Sequence, residues 1–320
     1  MQNLDKYDLK LLYELDLDAR QTNKQLAKRV RLSEQAIAYR IDRLHKRGII
    51  EEILIMTNPG KLGYTHYKLY IRLQNIPSEG EKKLQEYLVN ETGIFWAVSC
   101  RGSYDYVISF LGKTLNDYKK FYTELKNKFG NYIYSEDLVL LTKAPLFNRS
   151  YFVSGSEKKE VTYGGLQKIE YLDKKDEKIM QTLAHNARLS YLEISKKTKI
   201  KPDTVRNHYK KLVNAGIIIG TKLKINPKTI NRQYNLISFT LQGFNDKILR
   251  DMELFAQGHP PILYYINCIG SHNVELEIEA ANDDETDFII NSFKNYFPNY
   301  IKNYSVLTIK KELKLNFVPF

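Results

Sequence analysis

Residues 4–8 read LDKYD and residues 172–176 read LDKKD, so the same pattern occurs twice with a spacing of 168 residues (172 − 4). The same spacing carries residues 48–50 (GII) onto residues 216–218 (GII). A repeat of this length far exceeds the roughly 20 to 50 residues of stacked repeat arrays. The chain therefore contains two copies of a unit that is itself a whole domain or two.

Composition indicates a folded protein without membrane or metal chemistry. The 320 residues are 43% hydrophobic, which is enough for the cores of about two to four domains. The longest apolar runs are far shorter than the roughly 18 residues of a membrane span, and the N-terminal residues do not resemble a signal peptide. We predict a cytoplasmic location and no membrane partner. Cys100 and Cys268 and the six histidines lack metal-binding spacing, so we predict reduced core thiols, no metal site and no cofactor.

Basic residues are concentrated in one segment of each copy. The formal net charge is +12. Residues 20–47 contain nine Lys or Arg against two acidic residues, a net +7, and residues 188–215 contain eight against two, a net +6. The remainder of the chain is therefore close to neutral, at 12 − 13 = −1. A generally Lys-rich surface would not produce this placement, which favours a polyanionic partner at both segments.

Each basic segment lies within a pattern of three short helices. Leucines at helical spacing predict the first helix, Ser33 is placed to cap the third, and Gly48 is placed to end it. On the third helix Ile37, Ile41 and Leu44 would face a core. Three helices followed by a pair of strands form a winged helix-turn-helix, whose third helix enters the major groove of DNA.

The face opposite that core is predicted to contact DNA. At about 100° per residue it carries polar and basic side chains that suit base edges and phosphates. In the first copy the predicted DNA-binding residues are Ser33, Gln35, Ala36, Tyr39, Arg40, Arg43, Lys46 and Arg47. In the second copy they are Lys201, Asp203, Thr204, Arg206, Asn207, Lys210 and Lys211, where we expect phosphate contacts rather than base contacts.

The second part of each copy alternates strands and helices in the order β-α-β-β-α-β. This order is typical of a ferredoxin-like unit, an antiparallel sheet with both helices on one face. The fold class is therefore α+β, a tandem repeat of a winged helix-turn-helix followed by a ferredoxin-like effector (RAM) domain. The predicted winged helix-turn-helix domains are residues 1–60 and 171–228, the effector domains are residues 61–153 and 229–320, and residues 154–170 form an exposed linker.

The motifs resemble those of the Lrp/AsnC (feast/famine) family of bacterial and archaeal transcription regulators. The family's Leu-Asp-x-x-Asp is similar to residues 4–8, its Leu-Ser-x-x-x-Val-x-x-Arg-Ile-x-x-Leu to residues 32–44, and its Gly-x-Tyr-Asp to residues 102–105. Similarity spans essentially the whole chain, once per copy. The second copy departs from the pattern, because Lys201 replaces Ser33, His208 replaces Arg40, and residues 272–273 (HN) replace Tyr104 and Asp105.

The resemblance implies a sequence-specific regulator that binds double-stranded DNA and is not an enzyme. It also implies that Gly102, Tyr104 and Asp105 lie near a site where a small effector, such as an amino acid, binds between paired domains. A tight turn between two strands explains the same residues, and both interpretations stay open. Family members pair through their effector domains, so we expect an internal pseudo-dimer or a homo-oligomer.

One enzyme hypothesis remains as an alternative. Siroheme decarboxylases are built on the same two-domain unit and also occur as two fused units. Such an enzyme would need His and Arg side chains clustered to hold the carboxylates of a tetrapyrrole. The effector domains offer His66, Arg72, Arg101 and His272, which are scattered in the sequence.

Overall fold

The computed structural model describes residues 4–165 and 167–320. Residues 1–3, at the start of the first predicted domain, and Leu166, inside the predicted linker, lie outside the described residues. The helices are α1 Lys6–Leu17, α2 Asn23–Val30, α3 Glu34–Lys46, α4 Ser78–Asn90, α5 Leu115–Phe129, α6 Lys174–Leu183, α7 Tyr191–Thr198, α8 Pro202–Asn214, α9 Asp246–Gly258 and α10 Asp283–Tyr296. The strands are β1 Ile50–Thr57, β2 Thr65–Leu73, β3 Ile94–Arg101, β4 Tyr106–Gly112, β5 Ile133–Phe147, β6 Glu160–Gly164, β7 Ile218–Ile225, β8 Gln233–Leu241, β9 Ile262–Gly270, β10 Val274–Ala280 and β11 Ile301–Leu315.

This order confirms the predicted α+β class and the two helix-turn-helix units. Within the described residues none of the helices is both long and apolar enough to cross a bilayer. Local signals explain where the third helices begin and end. The Ser33 hydroxyl accepts a hydrogen bond from the Ala36 N–H at 3.2 Å and caps α3. Helix α8 begins instead at Pro202, and a glycine with positive φ follows each helix, at Gly48 and Gly216.

The predicted pair of wing strands within each copy is wrong. Each copy supplies one strand, and β1 pairs antiparallel with β7 of the other copy, with Ile53 opposite Leu223. The chain turns away directly after β1, through a 3-10 helix at Pro59–Leu62, and enters β2 of the effector domain. No second wing strand therefore follows within residues 58–64, and the open edge of β1 is satisfied by the other copy.

The two helix-turn-helix units share one hydrophobic core. Leu11, Ile37 and Leu44 of the first copy pack in the same buried cluster as Ile179 and Leu212 of the second. Reciprocal hydrogen bonds join the units. The Ala19 N–H donates to the Thr221 hydroxyl at 2.8 Å, and the Ala187 N–H donates to the Ile53 carbonyl at 2.7 Å. The units therefore form a single body, as the expected internal pseudo-dimer requires.

Two arginines of the basic segments belong to this contact between copies. The Arg20 guanidinium donates to the carbonyls of Ala187 and Leu189 and lies 4.5 Å from the centre of the Tyr209 ring. Its counterpart Arg188 donates to the carbonyls of Ala19 and Gln21 and to the Asn23 side chain. Because these donors are engaged inside the protein, Arg20 and Arg188 contribute to assembly of the helix-turn-helix pair.

The effector domains join into a closed ring of strands. Each has the ferredoxin-like order, β5-β2-β4-β3 in the first copy and β11-β8-β10-β9 in the second. The last strand of each domain has 15 residues and pairs on both sides. Strand β5 pairs with β2 and with β9 of the other copy, while β11 pairs with β8 and with β3 of the other copy. This exchange closes eight strands into a barrel, so their edges are paired.

The predicted linker is partly ordered structure. Strand β6 lies within residues 154–170 and pairs with the end of β5 that extends beyond its pairing with β2. Tyr163 of β6 is 3% exposed and packs among barrel side chains. A strand forms here because residues 161–163 (VTY) have high β propensity and β5 presents an unpaired edge.

The barrel interior contains a buried network of charges. Strand β10 places Glu275, Glu277 and Glu279 inside the barrel, each at most 5% exposed. The Lys68 ammonium donates to Glu275 and, at 3.1 Å, to Glu277, and the Tyr70 hydroxyl donates to Glu275 at 2.5 Å. Burial alone would raise the pKa of Glu275, but the Lys68 ammonium and the His272 hydrogen bond outweigh it and lower that pKa. These contacts join the two copies across the barrel.

Replacing Lys68 by methionine should destabilise the barrel strongly, because two carboxylates would remain buried without their cation. We expect Lys68→Met to lower the free energy of unfolding by about 3–5 kcal/mol, measured by chemical denaturation. The control is Lys83→Met on α4, whose side chain is 66% exposed and 4.0 Å from Glu79, with an expected change below about 0.5 kcal/mol. Equal effects of the two substitutions would contradict a stabilising role for the network.

Candidate nucleic-acid interface

Helix α3 presents a polar face to solvent, as its helical periodicity predicts. Ile37 and Leu44 are buried, while Gln35 and Tyr39 are exposed, with 65% of Tyr39 accessible. Towards the C-terminal end Lys46 is exposed and pairs with Asp42, one turn earlier, at 2.6 Å. Arg47 is also exposed. Ser33 is occupied as the helix cap, although its side chain lies at the exposed start of the same face.

Two of the predicted DNA-binding arginines are engaged by the first helix. The Arg40 guanidinium donates to Asp8 at 2.6 Å and to Asp5 at 2.8 Å, and the Arg43 guanidinium donates to Asp8 at 2.5 Å. Asp8 is fully buried, and the Arg40 side chain is only 17% exposed. We call these four residues the α1–α3 clasp. The clasp holds α3 at a set angle to α1, so Arg40 and Arg43 orient the helix.

The second copy repeats the clasp at the equivalent positions. His208 contacts Asp176 at 2.8 Å, and the Lys211 ammonium donates to Asp176 at 2.6 Å. Asp173, Asp176 and His208 also lie close enough together to be considered as metal ligands. Because arginine occupies the position of His208 in the first copy, and because Lys211 already neutralises Asp176, the group is better explained as a clasp than as a metal site.

The exposed face of α8 is polar and basic, but its composition differs from that of α3. Of the residues predicted there, Thr204 is half-buried and the others are exposed: Lys201, Asp203, Arg206, Asn207, Lys210 and Lys211. The preceding helix α7 and its end add further exposed cations at Lys196, Lys197 and Lys199. The structure thus brings a broad positive surface together around α8.

The predicted effector loop makes structural contacts within the barrel. The Tyr104 hydroxyl donates to Asp137, and burial together with this hydrogen bond raises the pKa of Tyr104 to about 12. The Asp105 carboxylate accepts from the Leu73 N–H at 2.7 Å, which satisfies the end of β2. Both contacts are consistent with the turn interpretation. The effector role of Gly102, Tyr104 and Asp105 stays a prediction.

Gly102 is required for the close approach of the two copies. Its φ is +137°, and a Cβ built there would lie 2.7 Å from the Val306 carbonyl oxygen on β11. The equivalent Gly270 has φ +149° and would meet the Leu138 carbonyl oxygen on β5 at 2.3 Å. A side chain at either position would therefore separate strands that close the barrel.

The His and Arg residues considered for a tetrapyrrole do not form one cluster. His66 and His272 are buried inside the barrel, whereas Arg72 and Arg101 are exposed. Burial and the Lys68 ammonium lower the pKa of His66 to about 3. Cys268, His272 and Glu275 lie close enough together to be considered as ligands of one metal ion. The Lys68 ammonium, which donates to Glu275, would repel a cation there.

Sequence reasoning missed the clasp and the buried glutamates. The sequence does contain a signal for the clasp. Asp5 and Asp8 recur in the second copy as Asp173 and Asp176. Basic residues recur with them, at positions 40 and 43 of the first copy and 208 and 211 of the second. Alternation along β10 indicates a strand with one polar face, which ordinarily faces solvent. No local signal shows that this face lies inside a barrel.

Comparison with known proteins identifies the class. A family model described as winged helix-turn-helix DNA-binding matches residues 4–51 and 172–219. An uncharacterised HTH-type transcriptional regulator of Pyrococcus horikoshii is 36% identical over 86 residues, which cover 27% of this chain and 57% of that protein. The proline dehydrogenase transcriptional activator of Rhizobium radiobacter is 31% identical over 121 residues, covering 37% of this chain and 76% of that protein.

These matches define a protein with two winged helix-turn-helix DNA-binding units. With the motifs of residues 4–8 and 32–44, they show that the chain belongs to the Lrp/AsnC family of HTH-type transcriptional regulators. The match to the Pyrococcus horikoshii protein spans little more than half of that relative's length.

The two-copy arrangement has a solved counterpart. The crystal structure of the siroheme decarboxylase NirDL superimposes with a TM-score of 0.61 over 97% of this chain and 93% of that chain, at 12% sequence identity. At this identity the likeness concerns the fold alone. The likeness shows that the overall fold of nearly the whole chain also occurs in a solved structure.

The clasp makes a prediction about stability. Asp8→Asn retains an oxygen that can accept the helix-cap hydrogen bond but removes the charge that holds Arg40 and Arg43. We expect a loss of about 1.5–3 kcal/mol in the free energy of unfolding, measured by chemical denaturation. Asp42→Asn, at an exposed pair on the same helix, is the control, with an expected change below about 0.5 kcal/mol. A loss confined to the control would refute the clasp.

Proposed function

We propose that the chain is a sequence-specific regulator that binds double-stranded DNA through the exposed faces of α3 and α8. The observation that supports this proposal is the pair of helix-turn-helix units in one body, each with a solvent-exposed polar and basic helix face. A third helix of this kind fits the major groove, where amide and hydroxyl groups meet base edges and cations meet phosphates.

The clasp divides the predicted residues of α3 into two roles. Gln35 and Tyr39 are exposed on the first turns of this face and Ala36 is half-buried beside them, where side chains reach base edges. Lys46 and Arg47 lie at the C-terminal end and suit phosphates. Arg40 and Arg43 act mainly as positioning residues, because Asp5 and Asp8 hold their guanidinium groups.

Helix α8 supplies a second, less specific contact. Lys201, Arg206 and Lys210 are exposed and suit phosphates, and Asn207 can reach a base edge. Asp203 at the start of the helix would disfavour close approach to a phosphate. Because one core joins both units, the two contacts would be made at a fixed spacing on the DNA. The proposal has two further parts. A small effector such as an amino acid binds at the loop of residues 102–105, and the chain pairs into a homo-oligomer.

DNA-binding titrations at several salt concentrations test these roles. Gln35→Ala should cost about 1–3 kcal/mol on the preferred sequence because it removes a base contact, with little change on unrelated DNA. Lys210→Ala should weaken binding on all sequences and lower the slope of log affinity against log salt by about 1. Lys83→Ala on α4 is the control for a lost surface charge. Wild-type affinity in both test variants would exclude these helices from the interface.

A second candidate is an enzyme related in activity to the siroheme decarboxylases. Two observations favour it: the likeness of the whole chain to NirDL and a cation-lined cavity at one end of the barrel, with Lys222 and Arg232 in its wall. The two candidates separate in one experiment. Under the DNA-binding proposal, siroheme added to the purified protein is recovered unchanged. A saturable change in its Soret band followed by loss of carboxylate as CO₂ would support the enzyme.

A further inference from the structure

A large cavity opens between the helix-turn-helix pair and the strands that the second copy contributes to the barrel. Its volume is about 530 Å³, which lies in the range of small-molecule sites. Strand β7 forms one wall, and the starts of β8 and β9 with the later part of β11 form the other. Leu263 and Leu315 give it apolar surface, and Tyr234 and Tyr264 line it with aromatic rings.

The wall of this cavity has an excess of positive charge. Seven cationic side chains line it: Arg149, Lys222, Lys224, Lys228, Arg232, Lys310 and Lys311. Two of them also pair with acidic side chains outside the wall, Lys224 with Glu52 at 3.2 Å and Arg232 with Glu285 at 3.3 Å. Three carboxylates also line it, and each already has a partner. Arg149 binds Glu279 at 2.8 Å, Lys224 lies 3.6 Å from Glu51, and the Trp96 indole N–H donates to Glu312 at 2.7 Å.

Two groups of this wall are held in electrostatically unfavourable states. Lys222 is 5% exposed, and its ammonium lies 3.5 Å from the Phe147 carbonyl oxygen and 4.9 Å from the centre of the Tyr264 ring. Burial lowers the pKa of Lys222, so holding its positive charge at this place is unfavourable. Burial also raises the pKa of Glu312 to about 7, which reduces its negative charge near neutral pH.

The equivalent region of the first copy is packed differently. With the spacing of 168 residues, the positions equivalent to Lys222, Lys224 and Arg149 in the other copy are Leu54, Met56 and Phe317. Leu54, Met56 and Phe317 are buried in one apolar cluster with Phe95, whose ring lies 5.2 Å from that of Phe317. The space remaining beside Phe95 and Phe317 measures about 20 Å³, and its other side is lined by Lys68, Glu277 and Glu312.

The two equivalent regions therefore differ: the region of the first copy resembles a structural core, and that of the second resembles a binding site. In the first, the apolar side chains of Leu54, Met56 and Phe317 stand at the positions of Lys222, Lys224 and Arg149 and are stabilised by burial. The region of the second copy instead contains the cavity of about 530 Å³, and the buried Lys222 in its wall is in an unfavourable environment. We propose that this cavity is a binding site for an organic polyanion, a molecule that carries at least two carboxylate or phosphate groups on a partly apolar body. The site is independent of DNA contact by α3 and α8.

Trp96 provides a direct probe of the site. It is the single tryptophan of the chain, and its indole N–H is bonded to Glu312 in the cavity wall. The experiment uses the full chain without DNA. Trp96 fluorescence is followed while citrate or inorganic pyrophosphate is added at constant ionic strength, and uroporphyrin III is followed by its own absorbance. We expect a saturable response with a Kd below about 1 mM for at least one of these probes.

Two variants separate binding from structure. Lys222→Met should weaken binding at least about tenfold while leaving the thermal midpoint unchanged or raised, because it removes an unfavourably buried charge. A residue with a purely structural role would instead lower that midpoint on substitution. Lys311→Met should weaken binding as well, whereas Lys143→Met, at the equivalent position of the first copy, should leave it unchanged.

Each outcome decides the proposal. Binding of citrate identifies a carboxylate site, binding of pyrophosphate identifies a phosphate site, and binding of uroporphyrin III alone supports the site together with the enzyme candidate. Absence of any response below about 1 mM, or equal affinity of the wild type and Lys222→Met, overturns it. Because no DNA is present, none of these results depends on the DNA-binding proposal.

Discussion

The structure depends on the pairing of strand edges between the two copies. An unpaired strand edge exposes a row of N–H and C=O groups that must find partners. In either copy alone, the wing strand and the last strand of the effector domain would each have an open edge. Pairing of β1 with β7, of β5 with β9 and of β11 with β3 removes these edges. The duplicated chain thus obtains within one molecule what a single-copy relative would need a dimer to provide.

This closure places polar groups where they would otherwise be unfavourable. Once the barrel closes, one face of β10 is inside, and its glutamates are stabilised there by partners from the other copy. Lys68 and Tyr70 supply them for Glu275, and Arg149 supplies one for Glu279. A buried ion pair of this kind gives little net stability but strongly penalises any arrangement that separates the partners. The network therefore specifies how the two copies fit together.

Duplication also allows the copies to diverge. The basic segments look alike in composition, yet within them Arg20 and Arg188 join the copies, and Arg40, Arg43 and Lys211 hold the third helices in place. The charge left for a polyanionic partner is smaller than the sum of the segments. Divergence is clearest at the barrel ends, where Phe317 completes an apolar core in one copy and Arg149 lines a cavity in the other.

The sequence by itself determined the repeat, the helix caps at Ser33 and Gly48, the exposed face of α3 and the α+β class. These features depend on residues within one or two turns or strands, where periodicity and capping act. Tertiary structure alone decided that β1 pairs with β7, that Arg40 and Arg43 are engaged by Asp8, that Glu275 faces Lys68, and that a cavity remains beside Lys222. Those contacts join residues from 32 to 207 positions apart, and they follow from how two copies close one barrel.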